Sequence, residues 1–365
     1  MNAFASFVVS VLRSTVNMMN SASVWLLASF VIGGVLHEIL DADRVRKSSI
    51  CSTKISGVFY ATVSGMLIPI CSCGSIPLGI GLYYSGAYLG PTLAFMTSSP
   101  MINPIAVILA YGLLGREIAT VYLITGFVAP MIIGITANRF GGPELYRPPA
   151  DAGNATLRIE TEKITLWQKL QNGMRWSFGE LAVMISQYTV TGMLLAGLFF
   201  NVVPQSFLQR YLGNSGFISL LGITLIAALM YVCAVGHIPF IAAIVASGAS
   251  PGVAITFLMA GAATNIAELL TINRTIGRRT MLLYFAMIVV ISNTVGYMTN
   301  RMFPNFKPVL NYDAATHSIS TANRLIVTAP EWLKYLCSAV LVGYAVWALI
   351  KSVRRKMDSH EKADT

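Results

Sequence analysis

The chain has 365 residues, a mean hydropathy of +0.67, 55% apolar residues and only 11% charged ones. A soluble domain carries about a quarter charged residues, so the composition excludes an ordinary water-soluble protein and points to an all-α polytopic membrane protein. The net charge of +10 does not indicate nucleic acid, because the basic residues sit in the gaps between apolar stretches, where membrane topology places them.

The first residues, MNAFASFVVSVLRSTVNMMN, lack the basic start of a secretory signal, and Arg13 interrupts them. Their spacing suits an amphipathic helix on the membrane surface, or equally a leader helix packed on the bundle. A transmembrane helix takes about 20 apolar residues. Stretches 22–40, 91–112, 117–137, 176–200, 251–270, 281–299 and 333–350 meet that need. Two more, 55–89 and 215–249, are long but broken by Gly and Pro. The total is roughly nine to eleven membrane elements, depending on how those two divide.

Segments 41–54, 138–175, 271–280 and 351–365 hold 18 of the 25 Lys and Arg residues. Basic residues favour the cytoplasmic side, so these segments and the C-terminus are assigned there, in a multi-pass inner-membrane protein. The N-terminus, 113–116, 201–214 and 300–332 then lie outside. Segments 55–112 and 215–270 must each cross an odd number of times, in opposite directions. The expected organisation is an N-terminal half with its leader (1–137), a cytoplasmic linker (138–175) and a C-terminal half (176–300). An outer loop (301–332) and a last helix with a basic tail (333–365) follow.

An internal repeat supports two halves. Residues 71–104, CSCGSIPLGIGLYYSGAYLGPTLAFMTSSPMINP, align without a gap to 233–266, CAVGHIPFIAAIVASGASPGVAITFLMAGAATNI, with ten identities in 34 positions. They include Cys71/Cys233, Gly74/Gly236, Pro77/Pro239 and Asn103/Asn265. Inverted repeats with interrupted helices are the plan of many secondary transporters, whose substrates bind near the midplane at paired breaks. The breaks are expected at 71–77 and 233–239, because Pro77 and Pro239 remove helix donors and Gly74 and Gly236 permit unusual dihedrals. Freed backbone groups in a bilayer must then be satisfied by protein or by a wet cavity. Ordinary proline kinks are the plainer alternative.

The five cysteines, Cys51, Cys71, Cys73, Cys233 and Cys337, are odd in number and mostly at membrane depth, which is not a secreted disulfide framework. Cys51 and Cys337 read as small buried or incidental residues. Cys71 and Cys73 cannot share a face of a regular helix, so they converge only where the backbone unwinds. Converged thiols would suit a soft metal ion or metalloid as substrate, and Cys233 could add a third sulfur. Small residues packing a tight crossing is the competing reading. His237, in the second copy, is a ligand or proton carrier, or a neutral side chain bonded to freed carbonyls.

Acidic residues inside a membrane are costly and usually functional. The candidates for proton coupling are Glu268, Glu180 and Glu38. On a continuous helix Glu268 would share a face with Asn265 and Thr264, and Asn103 and Asn265 would line one cavity. A salt bridge from Glu268 to Arg274 or Arg278 is the alternative, as are solvated helix ends for Glu38 and Glu180. The stretch MTSSPMINP reads by default as close helix packing. No Walker A, dinucleotide fingerprint or H-E-x-x-H motif is present, so neither ATP drive nor hydrolytic chemistry is expected, and no cofactor.

CSCGSIPLGIGLYYSGAYLGPTLAFMTSSP, with GHIPF, SGASPGVAITFLMAGAATNIAELL and NRTIGRR in the second half, resembles the predicted-permease family that includes the trivalent organoarsenical efflux permeases (ArsP-type). The resemblance covers about 20–300. It implies a bacterial inner-membrane permease exporting a toxic solute, with an arsenic-binding cysteine pair falling on Cys71 and Cys73. The family's His-x-Pro falls on His237 and Pro239, and its Asn…Glu-Leu-Leu on Asn265, Glu268, Leu269 and Leu270. Other branches of the family are described as copper or zinc efflux proteins. The first half departs from the pattern at SSPMINP, and Cys233 is no family constant. Three readings follow: secondary efflux of a thiophilic solute, a permease for another small metabolite or anion with structural cysteines, and, remotely, a membrane thiol–disulfide oxidoreductase. The partners are a small-molecule or metalloid substrate and the lipid bilayer. Oligomeric state is not legible.

Overall fold

The structure is a computed structural model, and it describes residues 3–39, 55–68, 72–146, 166–202, 216–229, 234–246, 248–304, 306 and 330–361. Among the described residues there are helices and turns and no strand. Helix α1 spans Ala3–Ile39, α2 Ile55–Leu67, α3 Ser72–Tyr84, α4 Leu89–Met101, α5 Pro104–Leu113 and α6 Gly115–Phe140. After a short 3₁₀ turn at Gly142–Glu144, α7 runs over Leu166–Trp176 and passes through a π turn, Ser177–Leu181, into α8, Ala182–Val202. The rest are α9 Phe217–Leu229, α10 Ala234–Ala246, α11 Pro251–Ala263, α12 Ile266–Thr275, α13 Arg278–Met302 and α14 Glu331–Glu361.

Among the described residues three helices are long and apolar enough to cross a bilayer alone: α6, α13 and Glu331–Lys351 of α14. Three bent pairs pass together: Ala5–Asn20 with Ala22–Val35 inside α1 (42°), α4 with α5 (43°) and α11 with α12 (42°). Helices α2, α3, α9 and α10 have 13 residues each, about 20 Å, which is short of a hydrocarbon core of about 30 Å. The expected spans 91–112 and 251–270 are therefore each two helices meeting at a bend. The leader is continuous with the first span. It packs on the bundle, where a Cβ on Gly197 of α8 would meet Thr15 Oγ1 at 2.5 Å.

The repeat is longer than the sequence match suggested. Helices α2, α3, α4 and α5 recur as α9, α10, α11 and α12, each 162 residues later, and α6 returns as α13. Packing repeats as well: α2 on α4, α3 on α4, α4 on α6 and α5 on α6 are matched by α9 on α11, α10 on α11, α11 on α13 and α12 on α13. Between halves, α3 meets α12 and α5 meets α10, the exchange that a two-fold relation requires.

The central helices are α4 and α11, which touch each other. Every one of their residues is buried, as expected of helices with no charge and no polar face. Small residues permit the crossings. The Gly90 amide donates to Asn138 Oδ1 at 2.8 Å, and the Gly252 amide to Asn300 Oδ1 at 2.7 Å. A Cβ at Gly90 would lie 2.4 Å from the Gly134 carbonyl oxygen, and one at Gly252 2.0 Å from that of Gly296. At one end the halves are tied by Glu144. Its carboxylate accepts from the Thr280 amide at the start of α13 (2.7 Å), and its carbonyl accepts from Tyr83 (2.8 Å). Tyr84 donates to the Thr275 carbonyl nearby (3.2 Å).

Candidate functional site: two broken helices at the buried centre

The bends lie at Ile102–Asn103 and Thr264–Asn265, where all four residues are extended. Asparagine causes the restart. Asn103 Oδ1 accepts from the Ala106 amide and Asn265 Oδ1 from the Glu268 amide, both at 2.8 Å, the usual N-cap bond. Pro104 at the first helical position suits that start, but Ile266 replaces it in the second copy, so the cap is the shared cause.

Each break also frees carbonyls, which cannot stay bare in a membrane. A tyrosine answers each one. Tyr122 donates to the Met101 carbonyl, and Tyr284 donates to the Ala263 carbonyl at 2.7 Å. Neither tyrosine was anticipated. The signal was available, since Tyr122 and Tyr284 stand at the same repeat interval as Asn103 and Asn265.

The second break carries more. Tyr284 lies 3.2 Å from Glu268 Oε1, and Thr97 Oγ1 approaches the Tyr284 hydroxyl at 3.4 Å. The Asn265 amide reaches Glu268 Oε2 at 3.5 Å. Thr97, Tyr284, Glu268 and Asn265 thus form one polar chain across α4, α13 and α12, joining the two halves. Glu268 is fully buried. Among the described residues its carboxyl meets this tyrosine and this amide, and no basic side chain. In the first half Ala106 takes the place of Glu268, and in the second Met259 takes that of Thr97, so the chain occurs once.

The expectations fare unevenly. Gly74 and Pro77 lie inside α3, and Gly236 and Pro239 inside α10, while 69–71 and 230–233, just before these helices, lie outside the described residues. A proline at the sixth helical position deletes a single bond, toward Cys73, and Gly33 of α1 leaves room for it, a Cβ there meeting the Pro77 carbonyl oxygen at 3.4 Å. Asn265 and Thr264 are not on one helical face with Glu268, because both precede the helix. Asn265 reaches Glu268 by capping instead. Asn103 and Asn265 each turn back onto their own helix.

Cys71 and Cys233 lie outside the described residues, as does Cys51. Cys73 falls in the first turn of α3, and its side chain also lies outside the description. Glu38 closes α1 and Glu180 sits in the π turn, again with side chains outside it. Cys337 is buried in α14, as expected of a packing cysteine. The first turn of α3 is nonetheless located. Ser75 Oγ lies 3.4 Å from the Met96 carbonyl, and Ser99 Oγ donates to the Ile68 carbonyl just before α3 at 3.3 Å. This turn therefore borders residues 96–99, beside Thr97 of the polar chain. His237, the repeat mate of Ser75, is half-buried against the rings of Phe257 (6.1 Å) and Phe240 (6.3 Å). Pro104 is exposed beside buried Asn103, so open surface reaches the first break.

Paired broken helices between repeated halves are the plan of many membrane transporters. The chain belongs to the predicted permease family ArsP_1, whose profile matches residues 8–301. It is 25% identical over 329 aligned residues to the UPF0718 protein MJ0584 of Methanocaldococcus jannaschii, covering 75% of this chain and 90% of that one. It is 26% identical over 270 residues to the UPF0718 protein YcgR of Bacillus subtilis, covering 73% and 89%. A shorter match, 21% over 120 residues, links it to the UPF0718 protein YraQ of Escherichia coli, covering 32% of this chain and 34% of that one. No solved structure matches the chain.

Proposed function

We propose that this permease is a secondary-type exporter of a thiophilic solute, a trivalent organoarsenical or a soft metal ion, bound at the buried centre where the repeated halves meet. The observation that carries the reading is the pair of Asn-capped breaks, with the first turn of α3, and Cys73 in it, running beside residues 96–99. Cys71 and Cys73 are the proposed ligands, Cys233 a third, and His237, Asn103 and Asn265 neighbours of the path. Export and the inner bacterial membrane belong to the same reading and rest on the family resemblance, and a cytoplasmic C-terminus is supported by the distribution of Lys and Arg.

Coupling to protons is assigned to Glu268. The Tyr284 hydroxyl has one hydrogen and two acceptors, the Ala263 carbonyl at 2.7 Å and Glu268 Oε1 at 3.2 Å. When Glu268 carries a proton, it donates to the tyrosine oxygen, and the tyrosine holds the break carbonyl. When Glu268 is ionised, the tyrosine hydrogen turns to the carboxylate and releases the carbonyl. Proton loss at Glu268 is thereby felt at the break. Glu180 and Glu38 stand as proton stations nearer the ends.

A second reading, a permease for an anionic metabolite with structural cysteines, is favoured by the same breaks, because the N-termini of α5 and α12 begin inside the molecule and such ends attract anions. Growth of an arsenical-sensitive bacterium on trivalent methylarsenic decides between them. Expression of the wild-type chain confers tolerance, and Cys71→Ser or Cys73→Ser at equal abundance abolishes it. Tolerance kept by both variants would favour the second reading.

A further inference from the structure

The π turn at Ser177–Leu181 leaves a second feature beside the position of Glu180. Ser177 is pinned, its hydroxyl donating to the Phe30 carbonyl at 2.5 Å, and Phe178 meets the ring of Phe30 edge-on at 6.2 Å. Below this point α8 packs on α14. At the turn they part, and a groove of about 440 Å³ opens between them. Phe178, Gly179 and Val183 form one wall, and Val340, Gly343, Tyr344 and Trp347 the other. A Cβ at Gly179 or Gly343 would meet nothing within 4 Å, so both glycines keep the groove clear.

The groove has a polar end. The apolar sequence of α14, AVWALI, is followed by Lys351, whose Nζ lies 4.7 Å above the Trp347 ring. A tryptophan with a lysine one turn later marks headgroup depth. The apolar slot thus runs up to the Lys351 ammonium.

We propose that this groove is a binding site for one anionic phospholipid, an acyl chain lying between the π turn and α14 and the headgroup phosphate against Lys351. The charge at the rim selects the anionic headgroup. The bare glycine floor admits the chain.

The test uses purified full-length protein in mixed bilayers of phosphatidylcholine and phosphatidylglycerol at a fixed ratio, with one or the other of the two lipids brominated to quench tryptophan. The Trp347 contribution is taken as the difference between wild type and Trp347→Phe. Brominated phosphatidylglycerol is expected to occupy the site about fivefold more strongly than brominated phosphatidylcholine, the preference expected from one basic residue at a membrane surface. Lys351→Ala removes the preference. Gly343→Leu, a surface change that fills the slot, lowers quenching by both lipids. Equal quenching of wild type by the two lipids would overturn the proposal. So would a phosphatidylglycerol preference that survives both substitutions.

Discussion

Tyr122 and Tyr284 sit at matching places in the two halves and hold matching carbonyls, but Tyr284 alone also faces a carboxyl. Removing either hydroxyl leaves a buried carbonyl without its partner, which costs about 1–3 kcal/mol. Tyr122→Phe and Tyr284→Phe are therefore both expected to lower the unfolding temperature in detergent. Only Tyr284→Phe should also change how transport depends on pH, because only it severs Glu268 from the break. An equal effect of the two on the pH profile would mean that Tyr284 is merely structural. At this scale the sequence exposed Asn103, Asn265 and Glu268, since an amide repeated across halves and a carboxyl in an apolar run are conspicuous. It did not expose the tyrosines, because Tyr122 and Tyr284 sit in ordinary apolar helices and their partners are backbone atoms some 20 residues upstream. Nor did it separate capping from face-sharing at Asn265, since both put a side chain near Glu268.

Helices α4 and α11 are close-packed on every side, and their crossings with α6 and α13 depend on glycines. Gly90→Ala and Gly252→Ala would drive a methyl into the carbonyls of Gly134 and Gly296. Each should cost about 1–3 kcal/mol, read as a lower unfolding temperature and reduced yield of folded protein. An alanine tolerated at both positions would show that the helices separate easily and that the centre is not tightly built. Apolar lengths and the repeat announced most of these elements. The bends at Ile102–Asn103 and Thr264–Asn265 were not anticipated, because Gly and Pro were weighted as the breakers. Pro77 sits early in a short helix, where it deletes one bond, whereas Asn103 and Asn265 cap new helices and thereby end the old ones. The pattern Asn-Pro in MINPIAV is itself a helix-start signal. The division of 55–89 into α2 and α3 agrees with the reading of that stretch as interrupted.

For the whole molecule, exchange of the halves maps α3 against α12 onto α10 against α5, so the two breaks are alternative versions of one structure. Their chemistry is unequal: Glu268 and Thr97 belong to one version only, and Glu144 binds the halves at one end. A pair of matched elements with one carboxyl between them fits the proposed alternating access around a midplane site. The overall class was legible from hydropathy, and the two-half plan from ten identities. The sidedness rests on charge alone, because no helix records which face of a membrane it meets.

The central claim is that thiols beside the broken helices carry the solute, with Glu268 as the proton site. Its most direct test is uptake of trivalent methylarsenic into everted membrane vesicles bearing equal amounts of wild-type, Cys71→Ser, Cys73→Ser and Glu268→Gln protein. Wild-type vesicles should accumulate the arsenical in a manner that follows the pH gradient. The cysteine variants should fall to the level of empty membranes, and Glu268→Gln should lose the dependence on the gradient. Accumulation undiminished in both cysteine variants would contradict the account, as would a wild-type protein that moves no arsenical or soft metal ion at all.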